Sequence, residues 1–144
     1  MFKPNMTFEG KIHKHKKWWL IQIPVLDLTT QGKSKKEAYF MLQDALELLI
    51  HNKKIKVKIV IQNKNTFLLT SNNPTVLLSL MLKRQRTLQN ITLSEMAKKL
   101  KVKSKNAYAQ YEQGRSEPSI SKLQEFISVF SPKQDIEIRL VGTS

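Results

Sequence analysis

The chain has 144 residues, no cysteine and a formal net charge of +14. That length suits one ordinary domain or two small ones, and without thiols there can be no disulfide or thiolate metal site. No apolar run approaches the roughly 20 residues a membrane span needs, and the start Met1-Phe2-Lys3-Pro4-Asn5 has no apolar stretch behind it, so a soluble cytoplasmic protein is expected.

The charge is spread along the chain. Residues 1–73 carry 13 lysines against 5 carboxylates, and residues 74–144 carry 12 Lys and Arg against 6. Neither half is a mere basic tail. Such a balance points to a polyanionic partner, nucleic acid before anionic membrane.

In chain order, residues 6–14 and 16–24 read as two strands joined by a turn near residues 13–17. The second holds Trp18, Trp19, Leu20, Ile21 and Ile23, and Pro24 closes it. Residues 27–32 are a brief third strand or a loop. Ser34 with Glu37 three residues later forms a capping box. Ala38, Met41, Leu42, Ala45, Leu46, Leu48 and Leu49 follow at helical spacing, with Asn52 as the expected C-cap. Ile55, Val57, Ile59 and Ile61 then alternate with lysines as a clear strand, and residues 67–70 read as one more short strand.

Ser71-Asn72-Asn73-Pro74 is turn chemistry and marks a domain boundary. From there the periodicity is helical. A first helix is expected over residues 74–86. Thr92 and Glu95 form a second capping box. Residues 101–104 are a turn, with Val102 filling the space between helices. Ser104 is expected to cap a helix over residues 105–111, which Gly114 ends as a C′ residue. A last helix opens at Pro118-Ser119. Residues 135–141 alternate Ile136, Ile138 and Leu140 with charges and read as a lone strand, which needs a partner.

Residues 91–130, ITLSEMAKKLKVKSKNAYAQYEQGRSEPSISKLQEFISVF, resemble the Cro/repressor-type (Xre-like) helix-turn-helix. The turn is one residue longer than usual, which leaves two registers for the start of the reading helix, and Leu93 stands where the family often has a phosphate-contacting Gln. The resemblance implies an ion pair between Arg86 and Glu112. A reading helix must show polar side chains along its N-terminal outer face. Lys105, Asn106, Ala109 and Gln110 are placed there, with Ser104 at the start. Asn and Gln can pair with adenine and Lys with guanine acceptors. Lys98, Lys103 and Arg115 suit phosphate contacts, which fix register without reading sequence.

The first half also carries an ordered set of features: Trp18 to Ile23, Pro24, Leu26, Thr30-Gln31-Gly32, Ser34, Glu37-Ala38 and an amphipathic helix. This set resembles the N-terminal domain of HicB-type antitoxins from HicAB toxin–antitoxin systems. The Gly-Cys pair that often precedes the Thr is replaced here by residues 27–29. The resemblance implies an α+β chain. Its N-terminal part would be a partial ribonuclease H-like βββαβ domain over residues 1–73. An all-α helix-turn-helix domain with the terminal strand 135–141 would follow over residues 74–144. It also implies two partners, a HicA-type ribonuclease toxin and the operator DNA of the pair's own operon, bound as a homodimer or higher homo-oligomer. The expected toxin contacts are Trp18, Trp19, Asp27 and Thr30. Such toxins are usually basic, so this basic domain must meet them through apolar, β-strand or locally acidic contacts.

No cofactor, metal or catalytic activity is expected. Two-metal phosphoryl chemistry needs converging carboxylates, and the first half has only Glu9, Asp27, Glu37, Asp44 and Glu47. His13 and His15 share a strand face without a nearby third ligand. The competing reading is a stand-alone dimeric repressor whose N-terminal half senses a ligand or dimerises.

Overall fold

The computed structural model describes residues 5–142. Its elements are β1 (Phe8–His15), β2 (Trp18–Ile23), a 3-10 turn (Pro24–Leu26), β3 (Leu28–Gly32), α1 (Lys35–Ile50), β4 (Val57–Ile61), β5 (Thr66–Ser71), α2 (Pro74–Leu88), α3 (Leu93–Lys99), α4 (Asn106–Glu112) and α5 (Ile120–Phe130). The fold is α+β. Five strands form one sheet in the order β3-β2-β1-β5-β4, antiparallel at every pairing.

Alternation along the strands sorts the side chains into two faces. Ile12, Ile21, Ile23, Leu28, Phe67 and Leu69 share one face and are buried. Helix α1 covers it with Ala38, Leu42 and Leu46, and Tyr39 sets its ring edge-on to Phe67 at 5.5 Å. Burial also raises the Tyr39 pKa. The opposite face carries Lys11, His13, His15, Thr29 and Gln31, all exposed, while Leu68 lies buried in its middle. Three strands, a helix and two further strands make the N-terminal half βββαββ. The further short strand read at residues 67–70 forms as β5, one strand more than the βββαβ order that the resemblance implies, and it is β5 that pairs with β1.

Helix α1 starts where expected. The Ser34 hydroxyl accepts the Glu37 amide at 3.1 Å. It ends one residue earlier than expected, because His51 rather than Asn52 turns left-handed (φ 49°). Gly32 explains how closely helix and sheet approach. A Cβ at this position would collide with the Ala38 amide and lie 2.8 Å from the Glu37 carbonyl carbon. Gly32 and Ala38 together let the start of α1 settle directly on β3.

Helix α2 opens with Asn73 capping the Val76 amide at 3.4 Å and Pro74 in its first turn, where a missing N–H costs nothing. It joins the two halves. Leu77, Leu78, Leu80, Met81 and Leu82 are buried in a core cluster that runs without a break from the sheet to Tyr108, Phe126 and Phe130. Its polar side reaches back to the 3-10 turn. Arg84 donates to the carbonyls of Leu26 (2.9 Å) and Asp27 (2.6 Å), and Gln85 donates to that of Val25 (2.8 Å).

The expected strand over residues 135–141 is not formed. This stretch is irregular, with Ile138 72% and Leu140 99% exposed. One contact returns it to the sheet, the Arg139–Glu9 ion pair at 2.7 Å. An alternating sequence becomes a strand only when a neighbour takes its amides and carbonyls, and no such neighbour adjoins it among the described residues.

Gly32→Ala should destabilise the protein by about 1–3 kcal/mol, the range for overpacking against rigid neighbours. The shift in the urea unfolding midpoint measures it. An unchanged midpoint would mean that α1 does not depend on this close approach.

Candidate nucleic-acid interface

Helices α3 and α4 form the expected pair. Thr92 accepts the Glu95 amide at 3.1 Å, and its hydroxyl donates to the Glu95 carboxylate at 3.0 Å. The chain leaves α3 through Leu100 and a left-handed Lys101 (φ 59°), and the Val102 amide bonds the Ala97 carbonyl at 3.1 Å. Helix α4 begins at Asn106, one residue later than expected. Ser104 contributes its backbone carbonyl to the Ala107 amide (3.2 Å) and no side-chain cap is formed. Gly114 (φ 74°) ends the helix as expected.

The inward side of α4 is fixed by two residues one turn apart. The Tyr108 ring is buried and meets Phe126 edge-on at 5.0 Å, while Tyr111 meets the same ring at 5.1 Å. Glu112 receives both arms of Arg86, at 2.7 and 2.9 Å. The third guanidinium nitrogen, Nη1, donates to the Ile91 carbonyl at 2.7 Å. Both side chains are largely buried, at 14% and 6% exposure. A bidentate pair of this kind fixes orientation as well as distance. The hydrogen bond that Arg86 donates to Glu112, outweighing burial, raises the Arg86 pKa. Burial first, then the nearby Glu112 carboxylate, drives the Tyr108 phenol far above its ordinary range, and among the described residues its buried hydroxyl makes no hydrogen bond of ordinary geometry.

The outward side follows from that anchoring. Lys105, Asn106 and Ala107 are exposed, and Gln110 is half-buried. Lys98, Lys103, Ser104 and Arg115 are exposed around them. The Asn106 amide makes no hydrogen bond among the described residues. The Gln110 amide is occupied. It donates to the Ala107 carbonyl at 3.2 Å and accepts from Ser116 at 3.0 Å, so a base would have to replace those bonds.

Ala109 is the exception to the expected face. It is 4% exposed and lines a shallow cleft with Lys83, Arg86, Leu93, Glu112 and Gln113. The reason is helical spacing. Ala109 sits three residues before Glu112, so anchoring Glu112 turns Ala109 inward. Ala107 takes the outward place instead. The sequence held that signal, because the expected Arg86–Glu112 pair already determines which side of the helix faces in.

Trp18, Trp19, Asp27 and Thr30 are not gathered at one point. They are strung along the β2–β3 ribbon, where Trp19 pairs with Gly32 and Ile21 with Thr30. Asp27 lies at the opposite end from the tryptophans, exposed and left-handed (φ 48°). Trp19 packs on the core under α1, with the Lys35 ammonium 5.3 Å from its ring centre. Trp18 faces the other side of the sheet.

Comparison with known proteins agrees with the geometry of the second half. Residues 82–131 match the helix-turn-helix family. This stretch is a helix-turn-helix domain of the Cro/repressor type, and the class it defines is that of DNA-binding transcriptional regulators. No curated protein and no solved structure matches the chain. Among the described residues, no three His, Asp or Glu side chains cluster as a metal site, and no helix is long and apolar enough to cross a membrane.

Glu112→Ala should lower the unfolding free energy by about 3 kcal/mol, because it strands a largely buried guanidinium. Denaturant unfolding measures this. A loss well under 1 kcal/mol would show that the pair does not hold α4 in place.

Proposed function

We propose that this protein is an antitoxin and autorepressor of the HicB type. It binds operator DNA through α4 and neutralises a small HicA-type ribonuclease toxin through its N-terminal domain. The observation that carries the DNA-binding part is the Arg86–Glu112 pair, which leaves Lys105 and Asn106 facing outward at the start of α4. Asn106 is the best-placed base reader, with an unengaged amide suited to the adenine edge. Ala107 offers a methyl to a thymine methyl. Lys98, Lys103 and Arg115 take phosphates.

The antitoxin part is supported by the ordered N-terminal features and by one property of the sheet. Strand β3 is an edge strand bearing exposed Thr29 and Gln31. An unpaired edge lets a second protein add a strand through backbone bonds, whatever the charge of either partner. That suits a basic domain meeting a basic toxin. The ribonuclease would then be held along β3 between Trp19 and Asp27, with Thr30 on the same ribbon. The cytoplasm is the compartment such a role requires.

One observation favours the second reading, a stand-alone repressor whose N-terminal half dimerises. Phe40 and Leu48, two turns apart on α1, are 69% and 70% exposed. Co-expression with the product of the neighbouring reading frame separates the two. Co-purification and rescue of growth support the antitoxin, while a self-associating chain that rescues nothing leaves the repressor.

Lys105→Ala and Asn106→Ala should each weaken operator binding by roughly 1–3 kcal/mol per lost base contact, with little effect on random duplex. Lys98→Ala and Lys103→Ala should weaken both duplexes alike and flatten the salt dependence. Gel-shift titrations at fixed salt measure this. Equal losses on both duplexes for Asn106→Ala would remove it from the base-reading set.

A further inference from the structure

We infer that the pole of the sheet farthest from the helix-turn-helix is a second nucleic-acid site, one that takes a single strand by stacking a base on Trp18 between Lys17 and Lys33. Strand register brings this pole together. His15 pairs with Trp18, Trp19 with Gly32 and Lys11 with Thr66, while the Ile12 amide reaches the Asn65 carbonyl at 2.9 Å. The β1–β2 turn, the end of β3 and the β4–β5 turn therefore share one end of the sheet. The Pro24–Leu26 turn and the start of α2 lie at the other. An eight-residue strand spans about 25 Å, so the two poles are separated by more than two Debye lengths at physiological salt.

Charge at this pole is one-sided. Lys14, Lys16, Lys17, Lys33 and Lys64 gather here, and Lys35 is held in place by its bond to the Lys64 carbonyl at 2.7 Å. Of the carboxylates of the first half, Asp27 is at the far pole and Glu9 is paired with Arg139. Asp44 and Glu47 sit in the later turns of α1, and Glu37, in its first turn, is the one that lies near. The lysine cluster itself gives a basic protein no electrostatic attraction, so a partner strand on the β3 edge would rest on backbone bonds alone, and the charge of this pole is matched by a polyanion.

Trp18 decides which polyanion. It is half-buried on the sheet face away from α1 and lines an open pocket with Lys17 and Lys33. An aromatic ring sharing an open pocket with two lysines is suited to a single strand, with the ring stacking on a base and the lysines taking phosphates. A duplex keeps its bases stacked on one another and could use only the lysines. The turn's left-handed Lys16 (φ 57°) keeps the hairpin tight, so Lys17 follows directly into Trp18.

The test titrates the full-length chain with labelled oligouridylate and oligothymidylate at physiological salt, and with a duplex from upstream of its own gene. Trp18→Ala should weaken binding to the single strands by about tenfold or more, and Trp18→Phe, which keeps an aromatic face, should restore most of it. Lys17→Glu combined with Lys33→Glu should cost at least as much on single strands and change duplex binding less than twofold. Asn106→Ala should do the reverse, so failure of the operator assignment and failure of this site are told apart. Preference for one oligonucleotide identifies RNA or DNA as the source. The inference is overturned if the double lysine variant binds single strands like the wild type, if single strands and duplex lose affinity together, or if Trp18 proves necessary only for capture of a protein partner.

Discussion

The Arg86–Glu112 ion pair is the contact on which the rest of the molecule's geometry turns. It fixes the rotation of α4, and rotation decides which residues face a DNA groove. About half a turn of rotation of that helix would bury Asn106 and expose Tyr108. The pair is expensive to desolvate, and its retention here makes physical sense as an orienting device. Each nitrogen of the Arg86 guanidinium has an acceptor, two on Glu112 and one on Ile91, so three of its five N–H donors are held and the charge is compensated where it is buried.

The same stretch of α2 also sets the relation between the halves. Arg84, Gln85 and Arg86 are consecutive, yet they face different partners. The first two bind backbone carbonyls of the Pro24–Leu26 turn, and the third binds the reading helix. A carbonyl-rich turn cannot satisfy itself when packed against a neighbour, so α2 supplies its donors. The sheet domain and the DNA-binding helices are thereby joined through one rigid element with a continuous apolar core.

Much of this was readable in advance, for reasons that differ by element. Capping boxes at Ser34 and Thr92 are local chemistry and were placed to the residue. Gly114 was legible because a left-handed C′ position favours glycine. The ion pair came from family resemblance, and the helix-turn-helix match supports that resemblance. Ala109 was misplaced because the longer turn left two registers open, and choosing between them required carrying the inward direction of Glu112 three residues back. The bonds of Arg84 and Gln85 had no sequence signal, since their partners are backbone carbonyls nearly sixty residues away. The tail at residues 135–141 departs from its alternating pattern for a related reason. Alternation shows that a segment can pair, and pairing depends on what lies beside it.

The most direct measurement is amide chemical-shift mapping of the isotope-labelled protein as a duplex from its own upstream region is added. The largest changes should fall on residues 103–110, with the side-chain amide of Asn106 among them and the buried Ala109 methyl little affected. Changes confined to the sheet, with α4 unmoved at saturation, would contradict the claim that this helix is the surface that meets DNA.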